Sequence, residues 1–136
     1  MTYRVVISKP NKKFPIKGLN ELLRAETHTW DARLKKTVVS NSVKKENDMI
    51  CRICIEKYLK GVRIKKPIKC RYYIYSEDKK HDRGNIYASL EKSFLDSLQQ
   101  KKVIENDTYD LVYDSEFNTF LDRSNPRIEV EIEVIE

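Results

Sequence analysis

With 136 residues, 40% apolar and 35% charged, the chain is long enough for one domain spanning residues 1–136. It is apolar enough to bury a modest core, which excludes a wholly disordered polypeptide. No stretch of eighteen apolar residues and no leader-like apolar segment at its start occur, so a cytoplasmic protein with no membrane partner is expected. The net charge of +6 favours a polyanionic partner.

Tyr3, Val5 and Ile7 share one side of an alternating segment and predict a strand over residues 2–8. Lys9-Pro10-Asn11-Lys12-Lys13 ends it. Gly18-Leu19-Asn20-Glu21-Leu22-Leu23 reads as a short helix start with Asn20 as its candidate N-cap. From about residue 30 to 60, Val39, Val43, Ile50, Cys54, Ile55, Tyr58 and Leu59 recur near helical spacing. Lys35, Lys36, Lys44, Lys45, Lys57 and Lys60 lie mostly opposite, and Gly61 is the expected terminator. Trp30 and Phe14 are expected in the core or in a dimer contact. Pro67 to Tyr75 reads as an aromatic-rich strand. A polar loop over 76–84 leads into a helix over 85–100 whose apolar stripe is Ile86, Leu90, Phe94, Leu95 and Leu98. Residues 109–113 are a short strand candidate. Over 127–135, Ile128, Val130, Ile132 and Val134 share one face and Glu129, Glu131 and Glu133 the other, a strand with one wet side. The order β-α-β-α-β-β predicts an α+β domain, a mixed sheet with helices mainly on one face.

Charge is distributed unevenly. Residues 1–85 hold 22 Lys/Arg against 9 Asp/Glu, a balance of +13, and residues 86–136 hold 5 against 12, a balance of −7. A basic N-terminal portion suits a phosphate backbone, whose neutralisation releases counterions; a solvated, asymmetric surface would give the same totals. The acidic remainder is either solvated surface or a source of carboxylates for a divalent metal. Cys51, Cys54 and Cys70 are expected to be thiols in a reducing compartment. Cys51 and Cys54 have Cys-x-x-Cys spacing, but only Cys70, His28 and His81 are left to complete a tetrahedral site, so a place on the core face of a helix is the simpler reading. Tyr72, Tyr73 and Tyr75 alternate faces, so at least one ring is expected outside the core, for packing or for stacking on a base.

The stretch that carries chemistry runs from Lys79 to Asp107. It reads Lys79-Lys80-His81-Asp82-Arg83-Gly84-Asn85, then a helix bearing Lys92 and Asp96, then Val103-Ile104-Glu105-Asn106-Asp107. Hydrolysis of a phosphodiester with Mg²⁺ needs oxygen ligands that converge and leave water positions open, and a nearby lysine offsets transition-state charge. Carboxylates at the two ends of one helix converge only if the following chain folds back. Each residue also has an ordinary reading: Asp82 as a helix cap, Asp107 as a turn residue, Lys92 as a solvated lysine, His81 as a phosphate contact or a bystander.

Asp82-Arg83-Gly84-Asn85, the helix ending Phe94-Leu95-Asp96-Ser97-Leu98, and the loop Val103-Ile104-Glu105-Asn106-Asp107 resemble the RusA-type Holliday junction resolvases, especially their phage and prophage branch. Leu19-Asn20-Glu21, Lys66-Pro67 before an aromatic strand, and Ser124-Asn125-Pro126-Arg127-Ile128-Glu129 extend the likeness over nearly the whole chain in the same order. The resemblance implies a small α+β homodimer with a RusA-like mixed sheet. Such a dimer binds four-way DNA junctions and, with Mg²⁺ (or Mn²⁺ in its place), resolves them by paired nicks. By that resemblance, Asp82 and Asp107 are metal ligands and, with Lys92, the catalytic groups; Asn85 and Asp96 support them. Lys35, Lys36, Lys79, Lys80 and Arg83 are the expected contacts to branched DNA.

Two positions depart from the family pattern. Gly84 stands where a second metal-binding aspartate is usual, and glycine there would also permit a positive φ angle. The spacing from Asn85 to Asp96 is longer by about one turn, which moves Lys92 about 6 Å along the helix at 1.5 Å per residue. The alternative is therefore a catalytically impaired branched-DNA-binding protein on the same scaffold, or a nucleic-acid-binding regulator built on it.

Overall fold

The computed structural model describes residues 1–78, 83–108 and 110–136. Its elements are β1 (Thr2–Ile7), α1 (Leu19–Ala25), β2 (Glu26–Asp31), β3 (Lys36–Asn41), α2 (Ser42–Leu59), β4 (Ile68–Ser76), α3 (Arg83–Gln100), β5 (Glu116–Leu121) and β6 (Arg127–Val134). The chain is α+β. Strands β1, β6, β4 and β5 lie in that order in one sheet, and β2 pairs with β3 in a separate hairpin. Strand β6 runs antiparallel to both neighbours while β5 runs parallel to β4, so the larger sheet is mixed.

Alternation in the sequence decides which face of the sheet is buried. One row of paired residues, Val5, Val130, Tyr72 and Phe117, crosses all four strands on the inner face. Helices α2 and α3 pack on that side, with α1 against them. Phe94 of α3 meets Tyr72 edge-on at 5.8 Å, Tyr72 stacks on Phe117 at 4.8 Å, and Phe117 stacks on Tyr87 of α3 at 4.4 Å. Offset and edge-on geometry suits the ring quadrupoles. Phe94 is fully buried at one end of this column. Phe94→Ala is expected to cost about 3–5 kcal/mol of stability. In urea unfolding this reads as a lower midpoint with an unchanged slope.

The outer face is polar but not simply wet. Glu129 is 8% exposed because Arg4 and Arg127 both pair with it. Arg71 reaches Glu133 at 2.8 Å and Glu116 at 3.2 Å, and Lys69 reaches Glu116 at 2.6 Å. The hydrogen bond from Lys69, helped by the charges of Lys69 and Arg71, holds the Glu116 carboxyl below the ordinary carboxylate range. Glu116, Glu129 and Glu133 of the acidic C-terminal portion are thus matched by cations of β1 and β4 across the sheet. The Arg127 guanidinium lies 3.9 Å from the Tyr75 ring centre, and Tyr75 stacks on Phe120 of the edge strand β5.

Several sequence expectations need correction. The helix expected from about 30 to 60 begins only at Ser42, and the residues before it form the β2–β3 hairpin. β-branched Thr37, Val38 and Val39 favour the extended chain, and the Asn41 side chain caps α2 by accepting from the Lys44 N–H at 3.0 Å. The helix then continues through Asn47 and Asp48. Asn47 is buried and its amide bonds both the N–H and the C=O of Lys17 at 3.0 Å, fastening the segment before α1. Tyr58 is exposed, Trp30 is exposed and so outside the core, and Phe14 is buried as expected. Gly18, not Asn20, caps α1; a Cβ on Gly18 would stand 3.2 Å from the Asn85 Cβ, so close approach suits glycine there. Of the strand expected over 109–113, the described residues 110–113 contribute only a bridge between Val112 and Ile68, and a strand lies further on, at Glu116–Leu121. The order β-α-β-α-β-β therefore lacked the hairpin.

All three cysteines are buried and free. Burial pushes the Cys51, Cys54 and Cys70 thiols up, Cys70 to about 12. Among the described residues no helix is long and apolar enough to cross a membrane.

Candidate active site

Helix α3 presents two stripes. Ile86, Leu90, Phe94 and Leu98 go into the core, and a neighbouring stripe of Gly84, Tyr87, Ala88, Glu91, Lys92 and Leu95 lines one wall of a cleft of about 530 Å³. The spacing of that second stripe is again the i, i+3, i+4, i+7 pattern of one helical face. Phe117 of β5 and Asp107 from the loop after α3 complete its lining.

The loop reaches the cleft because α3 ends sharply. Lys102 takes a left-handed φ of 59°, the Val103 N–H bonds the Leu98 carbonyl at 2.9 Å, and Val103 and Ile104 turn inward and are buried. This is the geometry of a helix closed by a left-handed residue and locked by an apolar contact. The Val103 carbonyl accepts from the Ile64 N–H at 2.7 Å, which ties the loop to the segment before β4. Asn106 accepts from the Thr108 N–H at 3.2 Å and from the Thr108 hydroxyl at 2.8 Å. The turn chemistry is therefore done by Asn106, and Asp107 is left exposed at the cleft.

Two carboxylates and one ammonium thus face a common solvent-open space. Among the described residues Glu91, Lys92 and Asp107 have no ion-pair partner, in contrast to the matched charges of the outer sheet face. The Tyr72 hydroxyl is fully buried beside the Cys70 thiol; burial raises its pKa well above the ordinary value, with nearby Cys70 and Glu91 adding to the shift.

The structure brings together Lys92, Asp107 and position 84. It does not bring Asp96 to them: that carboxylate accepts from Lys44 at 3.0 Å, beside Asp48, which Lys44 meets at 2.7 Å. Burial opposes charge on Lys44, but the two carboxylates outweigh it and hold its pKa above the ordinary lysine value. Asp96 is part of the α2–α3 packing rather than of the cleft. Asn85 lies against Gly18 at the start of α1 and is not in the cleft wall. Arg83 is exposed at the first position of α3. Lys35 and Lys36 belong to the β2–β3 hairpin. Asp82, Lys79, Lys80 and His81 lie outside the described residues. The residue that sequence reasoning missed is Glu91; its position seven residues after Gly84, on the same helical face, was the available signal.

The chain matches no protein-family model and no curated protein. Among the described residues no three His, Cys, Asp or Glu side chains stand close enough together to hold a metal ion. Glu91 and Asp107 give the cleft two carboxylates among the described residues.

Gly84 lies in the first turn of α3 with helical backbone, so no positive φ calls for glycine there. Gly84→Asp is expected to raise the melting temperature slightly, because aspartate replaces a poor helix former and suits the helix N-terminus by about 0.3–1 kcal/mol. It also adds a carboxylate to the cleft wall. Melting curves across a Mg²⁺ titration should then show a larger metal-dependent rise in the variant than in the wild type. An equal rise would mean that metal does not sit at this end of the cleft.

Proposed function

We propose that this protein is a divalent-metal-dependent endonuclease of branched DNA that acts as a homodimer on four-way junctions, in the manner of the RusA-type resolvases it resembles. The observation that supports this most is the shared cleft. Lys92 and Asp107, fifteen positions apart on either side of a helix end, face the same open space as position 84. Asp82 and Asp107 would hold Mg²⁺, or Mn²⁺ in its place, and an ion there activates water and offsets charge on the scissile phosphate. Lys92 places a cation beside that phosphate. Glu91, across the same wall from Gly84, is the available substitute for the carboxylate that position 84 lacks. Three buried free thiols accord with a reducing, cytoplasmic setting. A two-fold symmetric junction cut at two related points calls for two related active sites, hence a dimer.

Gly84 in the cleft wall favours a second reading, in which the scaffold binds branched DNA without cutting it. A labelled four-way junction incubated with Mg²⁺, Mn²⁺ or EDTA separates the two. Paired nicks that need metal support the endonuclease. Tight junction binding without nicks supports the second reading. Absence of both, or a monomeric mass by light scattering with and without junction, counts against the proposal.

A further inference from the structure

The β2–β3 hairpin packs chiefly on itself and stands between α1 and α2 with nearly every residue of β2 exposed. Its register pairs Trp30 with Thr37 and His28 with Val39, so the Trp30 ring, His28 and Val39 share one face. Trp30 is 62% exposed. It is also the only tryptophan in the chain. A tryptophan left in water keeps a large apolar surface without a partner, and such surfaces mark contacts.

The turn beside it identifies the partner. Asp31 accepts from the backbone N–H groups of Arg33 at 2.9 Å and Leu34 at 3.3 Å, and Lys35 takes a left-handed φ of 51°. This local bonding sets the turn through backbone groups, and Arg33 adds a loose ion pair to Asp31 at 3.8 Å. The Arg33 side chain is 92% exposed, and Lys35 and Lys36 follow it. Three cations within four residues flank a flat ring on a strand otherwise made of threonine and other polar groups, with Leu34 and Val39 as the exposed apolar neighbours on the hairpin. A protein interface would have an apolar centre depleted of charge. Cations that track phosphates beside a ring that stacks on bases are the pattern of single-strand recognition.

We propose that the hairpin is an arm that holds DNA strands with exposed bases, Trp30 stacking on an unpaired or unstacked base while Arg33, Lys35 and Lys36 grip the flanking phosphates. This rests on the branched-DNA reading and adds to it a place where an opened strand is held, away from the cleft residues. Stacking needs a free base face, so single strands and forks bind through Trp30 and a closed duplex binds through the cations alone.

The test uses the whole protein with end-labelled oligothymidine, a forked duplex and a blunt duplex of equal length. Label anisotropy reports binding, and emission of Trp30 reports stacking in the same tube. The expected result is strong quenching of Trp30 by the single strand and the fork, with little change on the blunt duplex at equal saturation. Trp30→Ala should weaken single-strand and fork binding by about tenfold, the scale of one lost base stack, and duplex binding hardly at all. Trp30→Phe should retain most of the affinity. Because Trp30 is exposed, Trp30→Ala should melt like the wild type, which separates lost stacking from lost folding. Saturable binding with unchanged Trp30 emission, or with unchanged affinity in Trp30→Ala, overturns the inference and leaves the DNA reading standing. Absence of binding to any of the three DNAs at about 50 mM salt overturns both. A change of oligomeric mass in Trp30→Ala shows a contact between copies and overturns the arm alone.

Discussion

Asp107→Asn is expected to lower Mg²⁺-dependent junction cleavage by at least about a hundredfold, the scale seen when one preorganised electrostatic group is removed. Junction affinity in EDTA should stay equal or tighten. The reasoning is one of sign. Without metal, an exposed carboxylate in the cleft repels the phosphate backbone; with metal bound, it would help hold the ion, which would supply the activated water. Asparagine keeps the shape and removes the charge. The competing reading of Asp107 as a turn residue predicts a lower melting temperature and unchanged cleavage per folded molecule, and the hydrogen bonds speak against it. It is Asn106 that holds Thr108, and Asp107 sits exposed beside it. Asp82→Asn is expected to behave like Asp107→Asn, and Lys92→Ala should also lose cleavage.

A carboxylate outside the cleft supplies the contrast. Asp122 accepts from the Ser124 N–H and hydroxyl, the Asn125 N–H and Arg127, fastening the turn before β6. The bonds from Ser124 and Arg127 hold its carboxyl below the ordinary range. A depressed folded pKa means that this contribution is present above the unfolded value of about 3.9. It is lost as pH falls through the folded value. Asp122→Asn should therefore melt earlier near neutral pH and lose less on acidification than the wild type, while cutting normally once folded. Equal loss of cleavage in Asp122→Asn and Asp107→Asn would remove Asp107 from the site.

What the sequence made legible follows from where one pattern dominates. Strands β1, β4 and β6 and helix α3 have one clean period each, and the α+β class followed from them. The hairpin was hidden because Val39 and Val43 are spaced as a helix would space them, and nothing in periodicity alone shows that Asn41 caps a helix starting at Ser42. Strand β5 was hidden because only Phe117 and Thr119 face inward, among polar and acidic neighbours. In the cleft, Lys92 and Asp107 were readable because charged residues around a helix end are a local signal. Glu91 was not, because its role depends on the return path of the loop after Lys102. Asp96 misled because a carboxylate on α3 looks the same in sequence whether it faces the cleft or Lys44.

Salt should weaken junction binding steeply. Each phosphate neutralised on a duplex arm contributes about 0.9 to the slope of log affinity against log salt. Contact with six to ten phosphates would cost roughly 10³ to 10⁵ in affinity between about 50 and 200 mM salt. The structure sorts the cations that enter this count. Arg4, Lys69, Arg71 and Arg127 are held by carboxylates on the outer sheet face, and Lys44 is held by Asp48 and Asp96. Releasing them to phosphates would leave those acids unpaired. Lys35, Lys36 and Arg83 have no such partner among the described residues; Lys79 and Lys80 lie outside those residues. Neutralising Lys35, Lys36 or Arg83 should flatten the slope by about 0.9 each and weaken binding to all DNA sequences alike, as backbone contacts do. Neutralising Lys69 should leave the slope unchanged, since its charge is already matched by Glu116. A slope near zero for the wild type would sink the DNA-binding proposal outright. A slope that falls as much for Lys69→Ala as for Lys36→Ala would instead move the DNA from the hairpin and α3 to the outer face of the sheet.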